Sequence, residues 1–120
     1  MTSSRFDAFD KISEDELRNT QFIALKSTIT KAYSNLNYFK EKCLKIGLHF
    51  DDIKSIGDLA KFPFTTKEDF RSNYPFDMFA VPLDQIHRIH ASSGTTGKST
   101  IVGYTKNDLD TWSELTCRSL

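Results

Sequence analysis

Apolar and small side chains in the first third of the chain recur at helical spacing. They lie at Leu17, Ala24, Leu25, Thr28, Ala32 and Leu36. This period of about 3.6 residues predicts an amphipathic helix over residues 14–34. We expect the helix to begin with a capping box, in which the Ser13 hydroxyl accepts from the backbone N–H of Glu16 and the Glu16 carboxylate reaches back. Asn35 and Asn37 favour a break after it.

Two shorter helices are predicted next. The first lies within residues 38–47, where Gly47 suits a left-handed C-cap because glycine has no Cβ to oppose a positive φ. The second is capped by Ser55 and ended by Pro63, which cannot continue a helix.

A further short helix is predicted to begin at Thr66, with Asp69 as its capping partner. It must stop near Tyr74 because Pro75 disfavours helical backbone in the residue before it. We interpret residues 1–75 as a helical packing scaffold, with most of its Leu, Ile and Phe side chains in a core.

The pattern changes in the last third of the chain. Residues 86–91 alternate in polarity and predict a strand, and residues 99–105 form a second run rich in β-branched side chains. The glycine-rich stretch 92–98 joins the two. Thr105 and Asp108 then form a capping box for a last helix, which we expect to run to the end of the chain. Its apolar face is drawn from Leu109, Trp112, Leu115, Thr116 and Leu120.

This order of elements predicts a mixed α/β fold in two parts. Residues 1–75 form the helical N-terminal region. Residues 76–120 form the start of an α/β domain, with a strand, a glycine-rich loop, a second strand and a truncated helix.

Composition excludes several classes of function. Sixteen basic and sixteen acidic residues give a formal net charge of zero, which argues against a generally basic nucleic-acid-binding surface. No apolar run approaches the roughly 20 residues of a membrane-spanning helix. The two cysteines, Cys43 and Cys117, make no disulfide framework, so we expect free thiols and a cytoplasmic protein.

The loop SSGTTGKST, at residues 92–100, ends like a Walker A phosphate loop. In that motif a glycine stands five residues before the Gly-Lys pair, and here Ser92 takes that position while Gly94 comes two places too late. A Walker A loop also leads into a helix, whereas a β-branched run follows Thr100. The spacing therefore predicts a strand–loop–strand element and not a Walker A motif.

The residue types in this loop nevertheless suit phosphate. Glycines allow positive φ and close backbone approach, successive N–H groups form anion-binding nests, and hydroxyls and a lysine add donors and charge. The candidate binding residues are Ser92, Ser93, Gly94, Thr95, Thr96, Gly97 and Lys98. A flexible hairpin turn explains the composition about as well, and the density of donors beside Lys98 favours phosphate.

His87 and His90 lie three residues apart on the first predicted strand, so they face opposite sides of it. With no Cys or acid at suitable spacing, this pair argues against a zinc site. We expect His90 to pack or to form a hydrogen bond at the base of the loop. Trp112 is interpreted as a core anchor of the last helix.

The loop followed by VGYT resembles the glycine-rich phosphate loop of the acyl-adenylate-forming enzymes, and most of all the phenylacetate–CoA ligases. FPFTTKEDFRSNYPF and RIHASSGTTGKST are similar to typical strings of that family, and the resemblance covers about residues 8–120. It implies that an aryl-acetate carboxylate attacks ATP to give an acyl-adenylate and diphosphate, after which CoA gives the thioester and AMP. Mg²⁺ would accompany ATP, and residues 92–98 would hold its β- and γ-phosphates.

The resemblance implies further expectations. The partners are a small aryl acid, ATP and CoA, without nucleic acid or membrane, and a homodimer of the full-length protein remains open. The family's adenine, Mg²⁺ and acid-binding parts and its catalytic lysine lie downstream, so no catalytic residue falls within this chain, which we expect to be inactive alone. The family usually has Pro at the position of Ser99, whose absence predicts weaker ATP affinity.

Two alternatives remain at this point. The chain is also compatible with another member of the same family, such as a deazaflavin-adenylating synthetase or a different aryl-CoA ligase. Outside catalysis, it is compatible with a small module that binds a phosphate ligand or a partner.

Overall fold

The computed structural model describes residues 6–93 and 97–120. Within them, the α-helices are α1 (Glu14–Asn35), α2 (Asn37–Lys45), α3 (Lys67–Ser72) and α4 (Lys106–Arg118), and the strands are β1 (Ile86–Ala91) and β2 (Ile101–Thr105). Short 3-10 segments lie at Asp7–Asp10, Phe50–Asp52, Ile56–Lys61 and Leu83–Gln85. The mixed α/β class predicted from the sequence is confirmed.

α1 begins where its capping box predicts. The Ser13 hydroxyl accepts from the Glu16 N–H at 3.3 Å, and the Ser13 N–H donates to the Glu16 carboxylate at 2.8 Å. The helix ends at Asn35, and Leu36 has extended backbone, with φ −112° and ψ 103°. This one extended residue separates α1 from α2, which confirms the predicted break.

The buried face of α1 matches the predicted one only in part, since Leu25 and Ala32 pack partly buried against the core as predicted. Ile29 and Tyr33 are its buried residues, whereas Ala24 and Thr28 are exposed. The Thr28 hydroxyl instead donates to the Ala24 carbonyl at 3.0 Å. The helical period was correct, but the buried side of α1 is set by where α2 and the 50–61 region pack against it.

A small core joins α1, α2 and the segments that follow. Its buried members are Ile29, Tyr33, Leu36, Phe39, Cys43, Ile53 and Phe62. Phe39 and Phe62 stack with ring centroids 6.5 Å apart and an interplanar angle of 11°. Fewer phenylalanines lie in this core than expected: of the ten, Phe39 and Phe62 are buried and Phe22 and Phe50 pack partly buried against it, while Phe64 is 89% exposed.

The shorter helical segments follow their predicted signals. Gly47 has φ +71° just after α2, as expected of a left-handed C-cap. The segment capped by Ser55 is a 3-10 helix, in which both the N–H and the hydroxyl of Ser55 donate to the Asp58 carboxylate. α3 begins after Thr66, whose N–H donates to the Asp69 carboxylate at 2.6 Å.

β1 and β2 form an antiparallel hairpin, with Ile89 opposite Gly103 and Ala91 opposite Ile101. Strand, and not helix, follows the glycine-rich loop, which confirms that the loop is no Walker A motif. α4 then starts at the predicted capping box of Thr105.

The end of α4 corrects one expectation. The helix stops at Arg118, and the Ser119 hydroxyl donates to the Thr116 carbonyl at 2.8 Å, so Leu120 is not part of it. Within the described residues, α1 is long but too polar to cross a bilayer, and the other helices are too short.

Candidate phosphate-binding loop

The candidate residues fall partly within the described structure. Ser92 and Ser93 follow β1, and Gly97 and Lys98 lead towards β2, all four exposed. Gly94, Thr95 and Thr96 lie outside the described residues.

A pair of hydrogen bonds closes the stem of the loop. The Ser92 N–H donates to the Thr100 carbonyl at 3.0 Å, and the Thr100 N–H donates to the Ser92 hydroxyl oxygen at 3.1 Å. The first bond continues backbone pairing one step beyond Ala91 and Ile101, and the second uses the serine side chain in place of its carbonyl. The Ser92 hydroxyl therefore shapes the stem, and because it acts there as an acceptor, its own O–H remains able to donate.

Position 97 requires glycine because of its backbone conformation and not because a neighbouring atom would clash with a side chain. Its φ is +142°, a conformation that residues with a Cβ rarely adopt, and a Cβ built there would meet no atom within 4 Å. The observed φ agrees with the expectation that this glycine gives the loop a turn unavailable to other residues.

Lys98 is held by a residue that the sequence did not single out. Its ammonium nitrogen lies 5.6 Å from the ring centroid of Tyr74, within the range of a cation–π contact. Tyr74 belongs to the helical region, just after α3, so the fold brings that region against the loop. The sequence carries no local signal for this contact because the two residues are far apart in the chain.

α3 is anchored to α2 by a half-buried ion pair. The Lys42 ammonium lies 2.6 Å from the Asp69 carboxylate and also donates to the Phe64 carbonyl at 3.1 Å. The Asp69 carbonyl in turn accepts from the side chain of Asn73 at 2.8 Å. These contacts fix the backbone that carries Tyr74.

Asp69 is a structural carboxylate. Burial alone would raise its pKa, but the hydrogen bonds from Lys42 and Thr66 outweigh it and hold the pKa of Asp69 below its ordinary value. It is therefore ionised at neutral pH and unsuited to general acid–base chemistry.

An aromatic cluster lies at the base of the loop. The ring centroids of His90 and Tyr104 are 5.0 Å apart, those of Tyr104 and Trp112 are 5.6 Å apart, and Trp112 lies 6.0 Å from His90. This confirms that His90 packs there. Trp112 is 50% exposed, so its interpretation as a core anchor is wrong.

The other histidine of β1 does not join that cluster. His87 lies with Nδ1 3.3 Å from the Gln85 carbonyl oxygen. Among residues 6–93 and 97–120, no group of three or more His, Cys, Asp or Glu side chains is placed to hold a metal ion.

The two cysteines are free. Cys43 is fully buried, and burial raises the pKa of its thiol, so it stays protonated and inert at neutral pH. Cys117 is exposed on α4.

An open groove of about 740 Å³ borders the hairpin. Phe79 lies at its edge and packs on Gly103 of β2, where an added Cβ would come within 2.8 Å of the ring. The Ala80 carbonyl accepts from the Asn35 side chain at 2.9 Å, which ties this segment to the end of α1. The hairpin that carries the loop is thus seated on the chain segment that follows Tyr74.

Comparison with known proteins identifies the relatives of this fold. No protein-family model matches the chain. The phenylacetate–coenzyme A ligase of Escherichia coli K12 is 51% identical over 120 residues, which are the whole of this chain and 28% of that protein. The enzyme of the same name from Aromatoleum evansii is 52% identical over 114 residues, or 95% of this chain and 26% of that protein.

A solved structure shows the same fold. The crystal structure of 2-hydroxyisobutyryl-CoA ligase in complex with 2-HIB-AMP and CoA matches with a TM-score of 0.72 and 27% identity, over 81% of this chain and 22% of that one. The chain therefore spans about a quarter of the length of the relatives that it matches.

Proposed function

We propose that this chain is part of a phenylacetate–CoA ligase and that the complete protein is an ATP-dependent aryl-acid–CoA ligase, because relatives of that name match it over the quarter of their length that it spans. Its acid is phenylacetate, and its products are the acyl-CoA, AMP and diphosphate. The relatives' names and the CoA and 2-HIB-AMP of the 2-hydroxyisobutyryl-CoA ligase structure support this assignment. We propose further that it is a cytoplasmic protein, with a helical region at residues 1–75 and the start of an AMP-binding domain at residues 76–120.

The main support for the proposal is the geometry of the described residues at both ends of the loop between β1 and β2. Ser92 and Thr100 close its stem, Gly97 takes a positive φ, and Lys98 presents a positive charge at its exit. In the proposal, residues 92–98 bind the β- and γ-phosphates of ATP through backbone N–H groups, hydroxyls and the Lys98 ammonium.

These groups would act on the leaving group. When the acid's carboxylate oxygen attacks the α-phosphorus, the bond to the bridging oxygen breaks and the electron pair leaves with diphosphate. Donors aimed at that growing charge stabilise the transition state. In the second step the CoA thiol loses its proton, its sulfur attacks the acyl carbonyl and AMP departs.

Mg²⁺ would accompany ATP without a ligand from the described residues of this chain. The described residues offer no cluster of acids for it, so its protein ligands would come from other parts of the protein. Mg²⁺ commonly binds through phosphate oxygens and one or two carboxylates, which fits this division.

Exchange of labelled diphosphate into ATP tests the proposal. The complete protein should catalyse exchange that depends on phenylacetate, weakly with benzoate and not with a fatty acid, and should form phenylacetyl-CoA when CoA is added. A Lys98→Met variant should lose at least about tenfold in exchange, while Lys106→Met, which removes an exposed lysine paired with Asp110, should retain it. Exchange that is independent of any aryl acid would contradict the proposal.

A further inference from the structure

We propose that Tyr74 is a positioning residue for the phosphate-binding loop, because its ring holds the Lys98 ammonium ready for a polyphosphate ligand. This inference rests on the proposed function and deepens it by giving the helical region a role in ATP binding. It follows from a contact between two parts of the chain that sequence patterns treat as separate.

The contact leaves the lysine free to bind an anion. The ammonium nitrogen is 5.6 Å from the Tyr74 ring centroid, and a cation over a ring face is attracted by the ring quadrupole. Within residues 6–93 and 97–120, no carboxylate lies within ion-pair distance of this ammonium. Its N–H donors therefore remain available to phosphate oxygens, with no competing acid to displace.

Hydrogen bonds within the helical region fix the backbone next to Tyr74. Asn73, next to Tyr74, accepts from the Asp77 N–H at 3.1 Å through its carbonyl, and its N–H and side chain both donate to the Asp69 carbonyl. Asp69 is itself bound to Lys42 of α2. Tyr74 thus lies on a backbone that is fixed next to it, while the residue itself stays 42% exposed.

Such a restraint lowers the cost of binding. A lysine side chain has four flexible carbons, and fixing it on a ligand loses rotamer freedom. Where the ring has already limited the ammonium to one region, less freedom remains to be lost when phosphate binds. The ring should therefore strengthen binding without touching the ligand, and only while the lysine is present.

A double-mutant cycle on the complete protein tests the inference. The readout is the Kd for inorganic pyrophosphate, measured by titration calorimetry. Tyr74→Leu, which removes the ring, should weaken binding about two- to fivefold, as expected of an exposed cation–π contact. Tyr74→Phe, which keeps the ring, should bind like wild type. Phe64→Leu is the control for loss of an exposed aromatic in the same region.

The decisive comparison uses Lys98→Met. If Tyr74 acts through the lysine, adding Tyr74→Leu to Lys98→Met should change the Kd no further. A role in folding alone would weaken both backgrounds equally and would overturn the inference. So would an unchanged Kd in Tyr74→Leu, equal weakening by Tyr74→Phe, or absence of pyrophosphate binding by wild type.

The proposed function is judged separately, by aryl-acid-dependent exchange. Pyrophosphate binding that follows the expected cycle, in a protein without such exchange, would uphold the role of Tyr74 and refute the ligase assignment. Exchange by wild type with no effect of Tyr74→Leu on pyrophosphate affinity would do the reverse.

Discussion

Gly103 of β2 shows how much a single hydrogen atom in place of a side chain can matter. A Cβ added at Gly103 would lie only 2.8 Å from the nearest carbon of the Phe79 ring. The close approach seats the hairpin on the segment between Tyr74 and β1. A glycine in a strand commonly marks such an approach of another group.

We predict that Gly103→Ala lowers the free energy of unfolding by about 1–3 kcal/mol, since the ring or the strand must shift to accept the methyl group. Urea unfolding followed by Trp112 fluorescence measures it. Gly57→Ala is the matched control, because its Cβ would meet only the Ser55 hydroxyl at 3.6 Å, an ordinary contact. Equal stability of the two variants would show that Phe79 does not restrict this site.

Ser99 is the second informative residue. It is half-buried and comes just before Thr100, whose N–H closes the loop stem. A proline here would limit the backbone of both residue 99 and Lys98 before it. Loop residues that are restricted in advance lose less entropy on ordering.

We predict that Ser99→Pro in the complete protein lowers the KM for ATP by up to about fivefold, equivalent to a few tenths to about 1 kcal/mol of pre-organisation. Steady-state exchange kinetics at varied ATP measure it. Ser99→Ala separates the effect of the ring from loss of the hydroxyl and should leave the KM near wild type. An unchanged or higher KM in Ser99→Pro would refute this account of the loop.

At the scale of elements, the helical region is held together by polar contacts as well as by its small core. Lys42 of α2 bridges to Asp69 at the start of α3, and Tyr38 adds a hydroxyl contact to Thr65 at 3.1 Å. The Lys42–Asp69 pair is less exposed than the Arg18–Glu14 pair on α1. Partly buried pairs are worth more than exposed ones because solvent screens them less.

We predict that Lys42→Met destabilises the protein by about 1–3 kcal/mol at pH 7, because it leaves a half-buried carboxylate without its partner. Arg18→Met, which breaks an exposed pair, should cost less than about 0.5 kcal/mol. Urea unfolding of the two variants and of wild type measures the two losses in the free energy of unfolding. Equal losses would contradict a special role for the Lys42 contact.

The same pair predicts a pH dependence. Because the folded pKa of Asp69 lies below its unfolded value of about 3.9, its contribution to stability is present above that value and is lost as pH falls through the folded pKa. The gap in stability between wild type and Lys42→Met should therefore be full at neutral pH and shrink below about pH 4. If the difference in the free energy of unfolding between wild type and Lys42→Met does not change with pH, ionisation of Asp69 is not its cause.

At the scale of the whole molecule, the first 3-10 segment of the described residues contacts the end of α4. The Arg118 guanidinium at the end of α4 lies 2.7 Å from the Asp7 carboxylate and 2.9 Å from that of Asp10. β1 and β2 pair only with each other among the described residues, and Val102 of β2 and Trp112 of α4 are exposed. The described residues thus form the stem of the loop, but the groove that borders the hairpin is open.

We predict that the 120-residue chain by itself forms no phenylacetyl-CoA from phenylacetate, ATP and CoA. The loop supplies donors for phosphate, yet the groove beside the hairpin is open and the described residues present no metal-binding cluster. Thioester analysis by liquid chromatography checks this, with the complete protein as the positive control. Product from the isolated chain would overturn it.

The sequence by itself determined the elements whose signals are local. The capping boxes at Ser13, Thr66 and Thr105 place helix starts correctly because both partners of each box lie within one turn. The strand pair around the glycine-rich loop is equally local, because β-branched runs and a turn suffice to predict a hairpin. The role of residues 92–98 in binding phosphate stays a prediction from their residue types.

Only the tertiary structure decided what lies beside that loop and which faces are buried. Tyr74 meets Lys98, and Phe79 meets Gly103, across stretches of chain whose path no local pattern specifies. The side of α1 that is buried, and the exposure of Trp112, depend in the same way on what packs against each element. Helical period and residue type fix which positions share a face, but a contact between distant residues depends on the path of the whole chain.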